Sequence, residues 1–377
     1  MKKLLVIFFI AFCANVSAQN KEISDSLRQL VIAARYHSGF IFAHNIHVKN
    51  TKGLKPDGFE FEYSHLKTDS VTLTKFKCYP NLGWSFTYID FNSRLLGKAY
   101  SANYFIEPNY RIGNRLKMNV RFSGGLSYLT NPHDSIKNPT NESYGSHVNT
   151  LLQVGLGFSY PLSKHVGIYA MGNFFHDSNG ALKLPNAGVN YINVSLGLRY
   201  FQYSTRFAVY KKQRDTSWKH QPLHFDVSLH YSPKEGYKGP DTTAQRKFML
   251  GTSVQIVKQV SNIDALTAGA EIYYDDALRS IKDVIIRDNS SSMLAGVLIG
   301  HQFLLNRFTF SQQLGFYVSK HTKVYNQHYT NLYHTIYHRW GLNYKISDHW
   351  FAGISLLAHD QIADFIDARI TYRIRYK

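Results

Sequence analysis

Period-two alternation of apolar and polar residues dominates this chain. From Tyr191 to Gln202, Ile192, Val194, Leu196, Leu198 and Tyr200 are apolar, whereas Asn193, Ser195, Gly197 and Arg199 fill the other parity. Close to the C-terminus, Ile370, Tyr372, Ile374 and Tyr376 alternate in the same way with Thr371, Arg373 and Arg375. Successive side chains of a strand point to opposite faces, so one set meets an apolar phase and the other a polar one. Segments of this kind are expected near residues 37–47, 58–65, 81–91, 97–110, 115–129, 148–160, 165–178 and 191–202. A second set is expected near 222–232, 247–259, 263–275, 292–304, 307–319, 332–346, 349–359 and 363–376.

Sixteen strands is an even number, as bacterial outer-membrane barrels require. Only residues 20–34, NKEISDSLRQLVIAA, have helical spacing, and they read as a short helix or an unstructured lead-in. The two sets of eight also resemble each other: SKHVGIYAMGNFFHD, residues 163–177, aligns with SDHWFAGISLLAHD, residues 347–360. The expected fold is therefore all-β, an antiparallel transmembrane barrel of about 16 strands in two related eight-stranded halves. One wide barrel and two narrow ones both fit the pattern, and the long polar connector 203–221 favours two. The expected division is a leader at 1–18, a first barrel half at 19–202, the connector, and a second half at 222–377.

The chain's beginning changes the compartment. MKKLLVIFFIAFCANVSAQN combines two lysines, an apolar run from Leu4 to Phe12 and the small-residue step Val16-Ser17-Ala18, the pattern of a cleaved secretory signal. The run is too short for a membrane helix with margin, and no longer apolar run follows. An exported chain can still span a membrane as a closed barrel, because every backbone group is then paired between strands. The 27 tyrosines and 25 phenylalanines supply the aromatic girdles such a barrel carries at both interfaces. Beyond the leader only Cys78 remains, which excludes an internal disulfide framework. The net charge of +18 attracts polyanions. With no basic helix or base-stacking motif in an exported chain, nucleic acid is not the expected partner; anionic lipid is.

The chemistry concentrates in FFHDSNGALKLPNAGVNYINVSLGLRYF, residues 174–201. His176 and Ser178 lie two apart at a strand end and share the parity of Ile168, Ala170 and Phe174, so both point outward. Asn190 shares the parity of Ile192 and Val194, and a hairpin from 178 to 190 would set it beside His176. Imidazole, hydroxyl and a third polar group within reach are the parts of a nucleophilic hydrolase. Asp177 has the opposite parity and points into the barrel.

The pattern His176-x-Ser178-Asn179-Gly180, followed by Pro185-Asn186-x-Gly188, resembles the active-site hairpin of the outer-membrane lipid A 3-O-deacylases, PagL-like enzymes also called acyloxyacyl hydrolases. The resemblance is sharp over residues 165–202 and fades in the second half, where HDSNG is matched by HDQIA, His359–Ala363. It implies a cofactor-free, metal-free esterase on an eight-stranded barrel that removes an acyl chain from lipid A, with lipopolysaccharide as substrate and the outer membrane as location. By that likeness Ser178 is the nucleophile and His176 its base. Asn179, Asn186 and the backbone around Gly180 are the candidates for holding the oxyanion or positioning the substrate. The family's glutamate falls at Asn190, which can accept the imidazole N–H but cannot stabilise imidazolium by charge.

The rival reading is a non-enzymatic barrel, a channel or structural protein that kept a degenerate hairpin; a wide lumen would favour it. An adhesin would need long outer loops, for which only 131–146 and 233–245 qualify. His334 and His338, four apart, would pair on a helix as metal ligands, but the segment reads as a strand. Glu60 and Glu62 share one face opposite Phe59 and Phe61, the signature of lumen-facing charge.

Overall fold

The computed structural model describes residues 28–44, 46–180, 182–205, 207, 215–235, 246–277, 292–318, 335–359 and 362–375. The leader and connector residues 206 and 208–214 lie outside them.

Sixteen strands close into two rings of eight rather than one wide barrel. The first contains β1 (Arg28–Ile41), β2 (Asp57–Lys67), β3 (Tyr79–Asp90), β4 (Lys98–Ile112), β5 (Leu116–Leu129), β6 (Val148–Pro161), β7 (Val166–Ser178) and β8 (Val189–Phe201). The second contains β9 (His224–Glu235), β10 (Arg246–Gln259), β11 (Asp264–Asp275), β12 (Met293–Leu305), β13 (Phe308–Tyr317), β14 (Ile336–Lys345), β15 (Trp350–His359) and β16 (Ile362–Arg375). Every neighbouring pair is antiparallel. β1 closes the first ring on β8, from Val31 opposite Phe201 to Ile41 opposite Tyr191, and β16 closes the second on β9.

The predicted strands match these elements to within a few residues except the first. Residues 28–34, read from the sequence as helical or unstructured, are the opening half of β1. The run Leu30-Val31-Ile32-Ala33-Ala34 is apolar on both parities: Val31 points into a buried apolar layer that also contains Leu66, Tyr79, Phe201 and Phe207, and Ala33, on the same inner parity, is fully buried. Without a polar lumen parity, the alternation that marks the other strands is absent there. His338 lies in strand β14, not on a helix, and His334 falls outside the described residues.

The outer wall of the first barrel is apolar and aromatic: Phe61, Trp84, Phe86, Phe122, Val154, Leu156 and Leu196 are all exposed. No helix among the described residues is long and apolar enough to cross a membrane, so crossing falls to the strands. The lumen parity is charged and filled. Arg35 bonds Glu60 through Nε at 3.0 Å, Arg121 reaches Glu62 at 2.6 Å, and Arg199 grips both oxygens of Glu107 at 2.6 and 2.7 Å. Tyr169 donates to Glu62 at 3.0 Å, and His37 joins Glu60 to Asn193. Glu60 and Glu62 are thus the lumen charges their parity predicted. Charges this deep persist only because each is paired and hydrogen-bonded. The second barrel repeats the device with different residues, Arg339 linking Glu271 and Asp367.

Connections 68–78, 113–115 and 162–165 lie at one end of the first barrel and 42–56, 91–97, 130–147 and 179–188 at the other. The tight turns, 113–115 and 162–165, are at the first end, and the longest loops, 42–56 and 130–147, are at the second. Outer-membrane barrels keep short turns on the periplasmic side and long loops outside, so the loop end, which carries the site, is the external one.

Candidate active site

β7 and β8 are joined by the loop 179–188, and their register sets His176 directly opposite Asn190. Both lie on the outward parity, between exposed Phe174 and Ile192 below and the loop above. Asn190 Oδ1 accepts a hydrogen bond from His176 Nδ1, a short contact. The lumen keeps Asp177 on the inner side, where Tyr191 donates to its carboxylate at 3.3 Å. Among the described residues no carboxylate bonds His176; the carboxamide occupies that position.

Ser178 follows at the strand's last residue, on the same face. Its Oγ receives a hydrogen bond from Asn186 Nδ2 at 3.0 Å and another from the backbone N–H of Gly180 at 3.1 Å. Two donors from separate parts of the hairpin therefore converge where the serine oxygen sits. Ser178 Oγ makes no hydrogen bond to His176. Residues two apart on a strand have Cα atoms about 6.6 Å apart, so the imidazole edge and the hydroxyl flank a common space above the strand. Catalytic hydrogen bonds are often long or misaligned without substrate and tighten when it binds.

The loop is built to hold these groups. Gly180 has φ +62° and Gly188 φ +80°, both left-handed values suited to glycine. At Gly188 a Cβ would come within 2.8 Å of His176 Cε1. Asn186 also accepts the N–H of Asn179 on Oδ1 at 2.9 Å, which fixes which end of its carboxamide faces Ser178. The Asn179 side chain is spent on the scaffold, donating to Ser146 Oγ at 2.8 Å and to the Lys183 carbonyl at 2.7 Å. Of the residues expected to hold an oxyanion, Asn186 and the Gly180 amide face the serine; the Asn179 carboxamide does not.

A second loop buttresses the first. Ala187 and Gly188 donate to the carbonyls of Glu142 and Ser143 at 3.1 and 2.7 Å, and Tyr144, fully buried, anchors that loop by donating to the Leu96 carbonyl at 2.7 Å. The outcome is a covered site. Ser178 is 5% exposed and Asn190 9%, although their parity alone predicted an open position on the lipid face, because the loop's own residues lie against them.

His44, from the loop between β1 and β2, escaped the sequence reading. Its Nδ1 lies 3.0 Å from Asn190 Nδ2, completing a row His176–Asn190–His44. It belongs to no motif and lies far from residues 176–190 in sequence; only the closure of β1 on β8 brings it there. No group of three or more metal-ligating side chains occurs among the described residues.

The second barrel does not repeat the arrangement. His359, aligned by sequence with His176, lies on the inner parity and bonds Tyr317 through Nε2 at 2.9 Å. The matched segments differ by one residue in length, and β15 carries a register shift between Leu357 and Ala358. A slip of one residue turns a side chain to the other face.

Comparison with known families agrees with both halves. Residues 57–199 match the model for lipid A 3-O-deacylase (PagL), and residues 223–376 that for the acyloxyacyl hydrolase C-terminal domain. The chain belongs to the PagL lipid A deacylase family. Among solved structures, Neisserial surface protein A (NspA) is 14% identical with a TM-score of 0.32, covering 45% of this chain and 96% of its own. The outer membrane enzyme PagL is 15% identical with a TM-score of 0.30, covering 44% of this chain and 97% of its own. No curated protein sequence matches the chain. This PagL-family chain is an outer-membrane β-barrel.

Proposed function

We propose that the first barrel hydrolyses an ester-linked acyl chain from lipid A in the outer leaflet. Ser178 Oγ attacks the ester carbonyl while His176 Nε2 takes its proton. Asn186 Nδ2 and the Gly180 N–H, already converged on the serine, stabilise the tetrahedral oxyanion. Collapse breaks the acyl carbon–oxygen bond, the sugar hydroxyl leaves with the proton from His176, and water then releases the fatty acid by the same steps in reverse order. Asn190 holds the imidazole with its proton on Nδ1, as the asparagine of Cys-His-Asn sites does.

One observation carries this reading: His176 and Asn190 are cross-strand partners on the outward face at the loop end of the barrel, with Ser178 and its two donors on the same face. A polar group on that wall is costly unless it serves function or the headgroup region. The sequence motif and the family match point to the same substrate.

The rival, a non-enzymatic barrel, retains one observation in its favour: Ser178 is bonded to Asn186 and not to His176. Mass spectrometry of lipid A from cells expressing the wild type or Ser178→Ala separates the two. Loss of one acyl chain with the wild type alone supports hydrolysis; identical lipid A at equal membrane expression supports the rival.

A further inference from the structure

A carboxamide has two ends that are nearly alike in shape and opposite in hydrogen bonding. With Oδ1 toward His176, the imidazole carries its proton on Nδ1 and leaves Nε2 as a lone pair, able to act as a base. With Nδ2 toward His176, the proton moves to Nε2 and the base is lost. The contact between Asn190 and His176 cannot choose, since amide and tautomer can reverse together. A glutamate would need no choice, because both its oxygens accept.

His44 supplies the choice. Its Nδ1 faces Asn190 Nδ2 at 3.0 Å, and the backbone carbonyls of Phe42 and Ala187 also face its ring. Carbonyls demand an N–H. Burial holds His44 below its usual pKa, keeping the ring neutral with a single N–H. With that proton on Nε2, the Nδ1 that faces Asn190 is an acceptor, which only the NH2 end of Asn190 can satisfy. The histidine's loop is tied to the residue it reads: the Phe42 N–H donates to the Asn190 carbonyl at 2.8 Å.

We infer that His44 is a positioning residue for deacylation: it orients the Asn190 carboxamide and thereby keeps the His176 proton on Nδ1. The inference rests on the reaction proposed above and gives it a device particular to an asparagine in the glutamate's place. It makes His44 necessary only while residue 190 is a carboxamide.

The full chain in mixed micelles with lipid A tests this through four proteins: wild type, His44→Phe, Asn190→Glu and the double variant. His44→Phe keeps the bulk and removes the acceptor; we expect kcat to fall roughly tenfold or more, with KM nearly unchanged. In the Asn190→Glu background the same change should alter kcat less than about twofold. Nitrogen-15 NMR of His176 should report an Nδ1–H tautomer in the wild type and a mixture in His44→Phe. Equal losses in both backgrounds would mean a purely structural role and overturn the inference, as would wild-type kcat in His44→Phe while Ser178→Ala is inactive. If Ser178→Ala is as active as the wild type, the deacylation mechanism itself fails. The His176 tautomer then decides the positioning claim alone, an unchanged tautomer in His44→Phe overturning it and a changed one supporting it.

Discussion

Asn186 donates to Ser178 Oγ at 3.0 Å through one end of its carboxamide and accepts from the Asn179 N–H at 2.9 Å through the other. The two bonds can be separated by mutation. Asn186→Asp keeps an acceptor for the Asn179 amide and removes the donor beside Ser178. Loss of one oxyanion donor costs about 10²–10³ in kcat, and a carboxylate there would repel the developing charge as well. Steady-state kinetics should therefore show a kcat loss of at least that size with the thermal midpoint little changed; a small kcat effect would remove Asn186 from the oxyanion role.

The lumen charges stabilise the barrel only as a set. Arg121→Ala leaves Glu62, its partner at 2.6 Å, without that cation and withdraws the guanidinium from Glu60 and Glu107. Breaking a buried pair from one side costs about 3–5 kcal/mol. Denaturant unfolding in micelles should show a loss of that size, with the folded fraction still hydrolysing lipid A, since none of these groups touches the site.

Leu156 lies midway along β6 on the exposed apolar wall. An arginine there would cost roughly 2–4 kcal/mol if the wall faces the bilayer midplane. Folding equilibria of Leu156→Arg in lipid vesicles measure this directly, and an unchanged equilibrium would mean that this face does not meet lipid.

His44 also makes stability depend on pH. Burial lowers its pKa in the folded chain below the ordinary 6.5, so below pH 6.5 the unfolded chain binds the proton more readily. The stabilisation linked to the neutral ring is present above that pH and is lost as pH falls toward the lowered folded value. Thermal midpoints at pH 7.5 and 5.0 should differ more for the wild type than for His44→Gln; equal differences would show that His44 does not titrate in this way.

The filled first lumen bears on the channel reading. Eight-stranded rings are just wide enough for side chains, and here Arg35, Glu60, Arg121, Glu107 and Arg199 occupy the space. Planar bilayers containing the protein should show no sustained porin-sized conductance steps. Steady conductance that persists in a variant lacking residues 224–375 would contradict a sealed first ring.

Most of the barrel was legible because a polar lumen and an apolar exterior impose a period of two, as in β8 and β16. The pattern failed at Val31 and Ala33, where the lumen side itself turns apolar. Alternation is silent on the number of rings, since closure is decided by which edge strands pair; only the long 203–221 connector favoured the two that are found. His176, Ser178 and Asn190 were readable together because a hairpin makes sequence neighbours into spatial ones. His44 was not, because its approach depends on β1 meeting β8 across the whole first half of the chain. His359 misled for a related reason: similar letters one residue out of step end on opposite faces.

Because β1 seals against β8 and β9 against β16, no backbone ladder couples one cylinder to the other among the described residues. Scission of the covalent tether between Phe201 and His224 would therefore expose no unpaired strand edge on either side. Two polypeptides supplied in trans should each complete insertion unaided, and whatever cooperation exists between the halves must pass through side chains and lipid.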